Sequence, residues 1–382
     1  MKLTKIQWCD STVNPVAGCN GCPLFPQPSV VRKQVSAWLT GFGLDAHFAN
    51  SVISGAAGEM SLSEMYHRRN DLSGTVTAVI EACKKHPLPR GFEKDLARQF
   101  SEPVSCYAGI LHLMRGQNPL NPTKWIQPGY ATVFERPKKF PGRMGEAAKW
   151  SDLRESDRPD APWKNGLSRM IFVSDMGDAL SGSIDFNFLR EEIIAAASSE
   201  AGSRHIWLWL TKRPARMAKF DRWLEAQGIA WPRNLVPMTS VIDSKMAAGV
   251  KHLRSIRSLA KGLSVEPLLE PVSLDLDGID WVIAGGESGA YARPFHLEWA
   301  QDLLWQSRST GAAFFMKQLG KNPLLGGKPW PISDSHGGDW SNWPDELKLR
   351  EFPALFRHMI IDGRCVDPAG LRLPPASPNM HR

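Results

Sequence analysis

The sequence predicts an α/β protein: a parallel (β/α) barrel, partial or complete, with a helical insertion near its start and an irregular C-terminal extension. Three observations carry this. After Arg169, six nearly continuous apolar runs each stop at polar or charged residues, as strands buried on both faces do. Helical periodicities such as Phe188–Ser198 and Leu297–Ser307 lie between the runs. Between residues 26 and 103, by contrast, helical spacing dominates and strand signals are few. The expected division is therefore residues 1–25 for a first strand and cysteine loop, 26–103 for the insertion, 104–325 for the barrel core and 326–382 for the extension.

The first strand is expected at Lys5-Ile6-Gln7-Trp8, a short apolar alternation ended by the Asn14-Pro15 and Gly18 punctuation. Within the insertion, Val31–Phe42, Asp45–Ala57, Ser61–His67 and Leu72–Lys85 carry apolar residues at helical spacing. Such an insertion is either a lid or recognition module, or a decorated loop without a direct role. Cys106-Tyr107-Ala108-Gly109-Ile110-Leu111-His112 reads as the start of a helix, and Asn118 to Pro141 as a proline-rich ordered loop.

The six core strands follow. Met170–Val173 runs into Ser174-Asp175-Met176-Gly177-Asp178, Ile206–Leu210 into Thr211-Lys212-Arg213-Pro214, and Leu235–Met238 into Thr239-Ser240-Val241. Lys261–Val265 runs into Glu266-Pro267, Trp281–Ala284 into Gly285-Gly286-Glu287, and Ala313–Met316 into Lys317-Gln318. In a parallel barrel those C-terminal strand ends carry the active site. The extension is rich in Gly, Pro and Trp, and its last dozen residues are expected to be loose.

Charge and composition bound the function. Lys and Arg number 46 against 39 Asp and Glu, a net charge of +7, which allows attraction to nucleic acid. A mildly basic enzyme accounts for it equally, because no run of five basic residues occurs. No signal-peptide pattern and no apolar run of membrane-spanning length is present, so a cytoplasmic protein without membrane contact is expected. Phosphate-loop, serine-elbow and His-Glu-x-x-His motifs are absent.

Chemistry concentrates in the cysteines. Six are present, and in a reducing compartment they suit metal or structural roles better than disulfides. Cys9, Cys83 and Cys365 read as ordinary thiols. Asn14-Pro15-Val16-Ala17-Gly18-Cys19-Asn20-Gly21-Cys22-Pro23 forms one half of a split motif, completed by Cys106-Tyr107-Ala108. Three thiolates at one point can hold three irons of a 4Fe–4S cube and leave the fourth open. A Cys-x2-Cys pair alone signals structural zinc more often, and that alternative stands.

At the strand ends, Asp175, Asp178, Lys212, Arg213, Glu266, Lys317 and the nearby Arg293 fall on one expected face. A charge ending a buried strand must pair with another or bind a polar ligand. In Gly285-Gly286-Glu287 the glycines admit a close ligand and the carboxylate can accept from an amine or hydroxyl, or the segment is a tight turn. Of the fifteen tryptophans, Trp125, Trp330, Trp340 and Trp343 lie in expected loops, where they either stack nucleobases or anchor the loops on the core.

The Asn-Pro-x-x-Gly-Cys opening, the Cys-Tyr-Ala closing, Gly129-Tyr130 with Phe134-Glu135, and Ser335-His336-Gly337-Gly338-Asp339-Trp340 with Trp343-Pro344 together resemble the phage and prophage three-cysteine-motif family, allied to the radical S-adenosylmethionine superfamily. The sequence departs from that superfamily's pattern: two residues rather than three separate Cys19 and Cys22, and roughly eighty residues are inserted between Cys22 and Cys106. The resemblance implies a 4Fe–4S cluster on Cys19, Cys22 and Cys106, and S-adenosylmethionine held with help from Glu266, Gly285, Gly286, Glu287, Lys317 and Tyr107. It further implies reductive cleavage fed by a one-electron donor, and hydrogen abstraction from a substrate, with nucleic acid or a nucleotide favoured. Lys212, Arg213, Asp175 and Asp178 would serve substrate and catalysis. The other reading is a non-catalytic, zinc-stabilised nucleic-acid-binding or phage accessory protein.

Overall fold

The computed structural model describes residues 3–19, 28–57, 73–101, 106–115, 129–131, 133–288, 292–361 and 364–365. The chain divides into two compact units. Unit one comprises Met1–Pro15, Pro141–Asp175 and Ile184–Arg382; unit two comprises Val16–Phe140 and Met176–Ser183.

Unit one is a mixed α/β fold on a seven-stranded parallel sheet curled into a half-barrel. Its strands are β1 (Ser11–Val13), β2 (Met170–Val173), β3 (Ile206–Thr211), β4 (Leu235–Ser240), β5 (Gly262–Val265), β6 (Trp281–Gly285) and β7 (Ala313–Gln318), and their spatial order follows the sequence. The apolar runs form strands because both faces are buried: β2, β4, β5 and β6 have every residue buried. Alternate residues build the concave core. Met170, Phe172, Ile206, Leu208, Val236, Met238, Trp281, Ile283 and Phe315 join one cluster, as period-two pleating requires. On the other face Trp207 and Trp209 are both fully buried, and Trp209 stacks on Trp231 at 5.8 Å.

The first strand lies later than expected. Lys5–Trp8 forms no strand, with a turn at Gln7–Trp8, and among the described residues the chain first pairs at Ser11–Val13, beside β2. The apolar alternation there reports burial of one ring. Trp8 is 1% exposed and packs against Phe172 and Trp281 with centroids at 4.7 and 6.2 Å.

Among the described residues no strand pairs β1 with β7. The C-terminal extension instead lines the outer edge of β7: Met316 N–H donates to Leu349 O at 2.8 Å and Glu351 N–H to Phe314 O at 3.1 Å. Phe356, Met359 and Ile360 then enter the concave core. The Met316 N–H and the Phe314 carbonyl of β7 are thereby paired by the extension, with no eighth parallel strand among the described residues. At the opposite end of the sheet, Asp10 is fully buried and accepts from Arg158 Nε at 3.0 Å and Met170 N–H at 2.9 Å, with Lys164 Nζ 3.4 Å away. This cluster ties the segment before β1 to the segment before β2.

Unit two is largely helical in its described part: α1 (Pro28–Thr40), α2 (Ala46–Ala57), α3 (Ser73–Cys83), α4 (Phe92–Ser101) and α5 (Tyr107–Arg115). The expected helices over Val31–Phe42, Asp45–Ala57 and Leu72–Lys85 are present within a few residues. The expected helix at Ser61–His67 lies outside the described residues. Val31, Val35, Leu39, Ala49, Ile53, Val79, Leu96 and Phe100 interlock as its core, which is the helical periodicity expressed as packing. The short strand Val16–Ala17 pairs antiparallel with Lys138–Lys139. Among the described residues, no helix is long and apolar enough to cross a membrane.

Candidate functional site

In unit two the cysteine site is built on two elements. Cys19 follows the strand Val16–Ala17, is 8% exposed, and is held by its N–H donating to Phe134 O at 2.8 Å. Gly18 is required just before it. Its φ of 90° is left-handed, and a Cβ there would lie 2.6 Å from Phe134 O.

Cys106 stands immediately before α5, where Gly109 N–H donates to its sulfur at 3.4 Å. A helix N-terminus presents unsatisfied N–H groups and favours negative charge, the condition a thiolate ligand needs. Cys19 is part of the apolar cluster of unit two, and Cys106, Ile110 and Met176 pack against that cluster. Cys22 lies outside the described residues. Among the described residues no group of three His, Cys, Asp or Glu side chains gathers for a metal ion. Tyr107, the first residue of α5, is 68% exposed. Asp178, also in unit two, is buried; its carboxylate accepts from Leu180 N–H at 2.9 Å, closing a turn.

The exposed pair Lys138 and Lys139 sits directly opposite Ala17 and Val16, so cationic side chains flank the strand that delivers Cys19. The sequence reading passed over these lysines because their strand is two residues long.

In unit one the strand ends do bring charges together, and several have each other as partners. Glu266, past the end of β5, accepts from Trp8 Nε1 and Ser264 Oγ, each at 3.1 Å, and pairs with Lys317 Nζ at 2.7 Å. Lys317 sits at an irregularity in the β6–β7 register between Met316 and Gln318, the kind of bulge that re-aims a side chain. Asp175 accepts from Asn14 Nδ2 at 2.6 Å, and burial raises its pKa above the usual carboxylate range. Lys212 and Arg213 follow β3, half-buried, and Arg213 is the residue from which the helix Pro214–Glu225 starts.

The Gly285-Gly286-Glu287 segment leaves the end of β6 pressed against the backbone that follows β7. A Cβ on Gly286 would lie 2.3 Å from Leu319 O. The Glu287 carboxylate is clasped by Arg293, at 2.6 Å from Nη2 and 2.8 Å from Nε, and also accepts Arg293 N–H at 2.9 Å. Of the loop tryptophans, Trp330 and Trp343 anchor their segments through Nε1 to Asn342 O and Gly337 O; Trp125 lies outside the described residues.

Two residues at these strand ends escaped sequence reasoning. Ser174 and Ser240, at the C-terminal ends of β2 and β4, are buried with hydroxyls that find no hydrogen-bond partner among the described residues. Ser174 also has a φ of 74°, the one positive value at a non-glycine among the described residues. Buried orphan hydroxyls and left-handed strain cost free energy, and they concentrate where a ligand makes up the deficit. The signal available in the sequence was their place at the polar stop of an apolar run, which Asp175 and Thr239 share.

The model of one family, described as "Protein of unknown function (DUF5131)", matches residues 105–329. That span runs from the cysteine before α5 through all six core strands after β1. No curated protein and no solved structure matches.

Proposed function

The chain belongs to the DUF5131 family, and for this member of it we propose an iron–sulfur enzyme of radical S-adenosylmethionine type, on a barrel-like α/β scaffold of phage kinship. One observation carries the reading: Cys19 and Cys106, far apart in sequence, pack in or against one apolar cluster of unit two, with the Cys106 sulfur at a helix N-terminus. With Cys22 they supply the three thiolates of a 4Fe–4S centre with one open iron. Bound there, such a centre supplies one-electron reductive cleavage of S-adenosylmethionine.

The residues of the chain do the rest. The apolar side chains around Cys19 exclude water, and Gly109 N–H holds the Cys106 sulfur in place. Lys138 and Lys139 supply the positive potential that draws an anionic substrate, a nucleotide or nucleic acid, toward the cysteine strand. In unit one the Glu266–Lys317 pair, the orphan hydroxyls of Ser174 and Ser240, and Lys212 with Arg213 offer a polar ligand both donors and acceptors.

Anaerobic purification followed by iron, sulfide and zinc analysis tests the reading. About four irons per chain with absorbance near about 400 nm are expected, and Cys19→Ala or Cys106→Ala should abolish both. Stoichiometric zinc without iron would transfer the case to a zinc-stabilised nucleic-acid-binding or phage accessory protein, and the absence of any metal would end both readings.

A further inference from the structure

Arg350 of the C-terminal extension stands in a setting that the described residues leave incomplete. It pairs with Phe315 through an isolated antiparallel bridge at the edge of β7. Its guanidinium carbon lies 4.0 Å from the ring centroid of Trp163, 5.1 and 5.2 Å from Trp340 and Trp343, and 5.9 Å from Phe315. Aromatic rings satisfy the faces of a guanidinium, whereas its five N–H donors lie in its plane. Among the described residues Arg350 makes in that plane one long hydrogen bond, from Nη2 to Lys317 O at 3.4 Å, and Nε is buried without a partner. Burial lowers its pKa to about 10.

No carboxylate among the described residues answers this charge. Glu351 pairs with Arg308 at 2.6 Å and Asp345 with Lys348 at 2.7 Å. Asp339 accepts from Ser333 and Ser341, and Glu346 from Gln301. A half-buried guanidinium whose faces are covered by rings, whose Nη2 is held only at 3.4 Å and whose Nη1 has no partner among the described residues can take an oxyanion on that Nη1–Nη2 edge in a two-pronged grip. Beside it, Trp340 keeps 38% of its surface exposed, so a flat group attached to the anion has a ring to lie against.

We propose that Arg350, framed by Trp163 and Trp340, binds the oxyanion, phosphate or carboxylate, of a ligand that carries a flat ring. The site belongs to unit one and does not depend on the iron–sulfur reading.

Isothermal titration of the full-length chain with 5′-AMP, benzoate and inorganic phosphate tests it. AMP binding stronger than benzoate binding identifies a phosphate source; the reverse order identifies a carboxylate. In either case Arg350→Gln is expected to weaken the preferred probe by about tenfold or more. Trp340→Ala should weaken the ring-bearing probe several-fold and leave inorganic phosphate unchanged. Should Arg350→Gln fail to fold, Arg350→Lys serves, since it keeps the charge but loses the planar fork and should still bind more weakly. No saturable binding of any probe, or binding indifferent to substitution at Arg350, overturns the proposal.

Discussion

Two buried histidines make a quantitative prediction about acid stability, one in each unit. His205, in unit one, is fully buried; its Nε2 donates to Ala148 O at 3.1 Å and Nδ1 finds no partner among the described residues. His112, in unit two, is 3% exposed, and its Nε2 accepts Ala131 N–H at 2.7 Å. Burial is the main cause in both cases, and it lowers each pKa from 6.5 to about 4; at His205 the cations Arg204 and Arg169 add to it. The unfolded chain therefore takes up a proton near the ordinary histidine pKa while the folded chain refuses it. The stability tied to each neutral imidazole is complete above pH 6.5 and is lost as pH falls from there toward about 4. A fall of about 2.5 in pKa corresponds to about 3 kcal/mol per histidine at the acid end, a large share of the ~5–15 kcal/mol by which folded proteins exceed their unfolded states.

Urea unfolding followed by tryptophan fluorescence, at steps between about pH 7 and about pH 5, reads this directly. For the wild type, stability should fall toward acid with a slope of up to about 1.4 kcal/mol per pH unit for each histidine. His205→Gln removes one titrating group, and its slope in that window should be shallower by up to that amount. Equal slopes for variant and wild type would show that His205 takes up its proton freely in the folded state, and would refute the burial argument. His112→Gln provides the same comparison for unit two.

Two further substitutions probe the scaffold and the strand ends. Asp10→Ala leaves Arg158 and Lys164 as buried cations without their carboxylate, and should cost about 3–5 kcal/mol in chemical denaturation. Ser174→Gly removes left-handed strain at a φ of 74°; it should leave stability unchanged or raise it by up to about 1 kcal/mol, while Ser174→Val should lower it by about 1–3 kcal/mol, both read as a shift in melting temperature.

The parts of the fold that could be read from the sequence were those in which one segment reports its own environment. A run such as Met170–Val173 is apolar throughout because both faces of its strand are covered, and that cause acts residue by residue. The helix after Cys106 announced itself in the same way, and so did the spacing of Val31, Val35 and Leu39. The misplaced first strand shows the limit: Trp8 is apolar for the sake of Phe172 and Trp281, far away in the chain, so its neighbours mimic a strand without forming one.

The sequence by itself determined the order of the strands and helices and the polar residues at which the apolar strands stop. Tertiary structure decided which charges are already engaged, so that Glu287 is held by Arg293 and Glu266 by Lys317, Trp8 and Ser264. It also decided which groups lack a partner among the described residues: the hydroxyls of Ser174 and Ser240 and Nε of Arg350. The reason is physical. Hydrophobic periodicity is a local property of a strand or helix, whereas the satisfaction of a charge or hydroxyl depends on strand register and on how the C-terminal segment meets β7, which only the folded chain brings about.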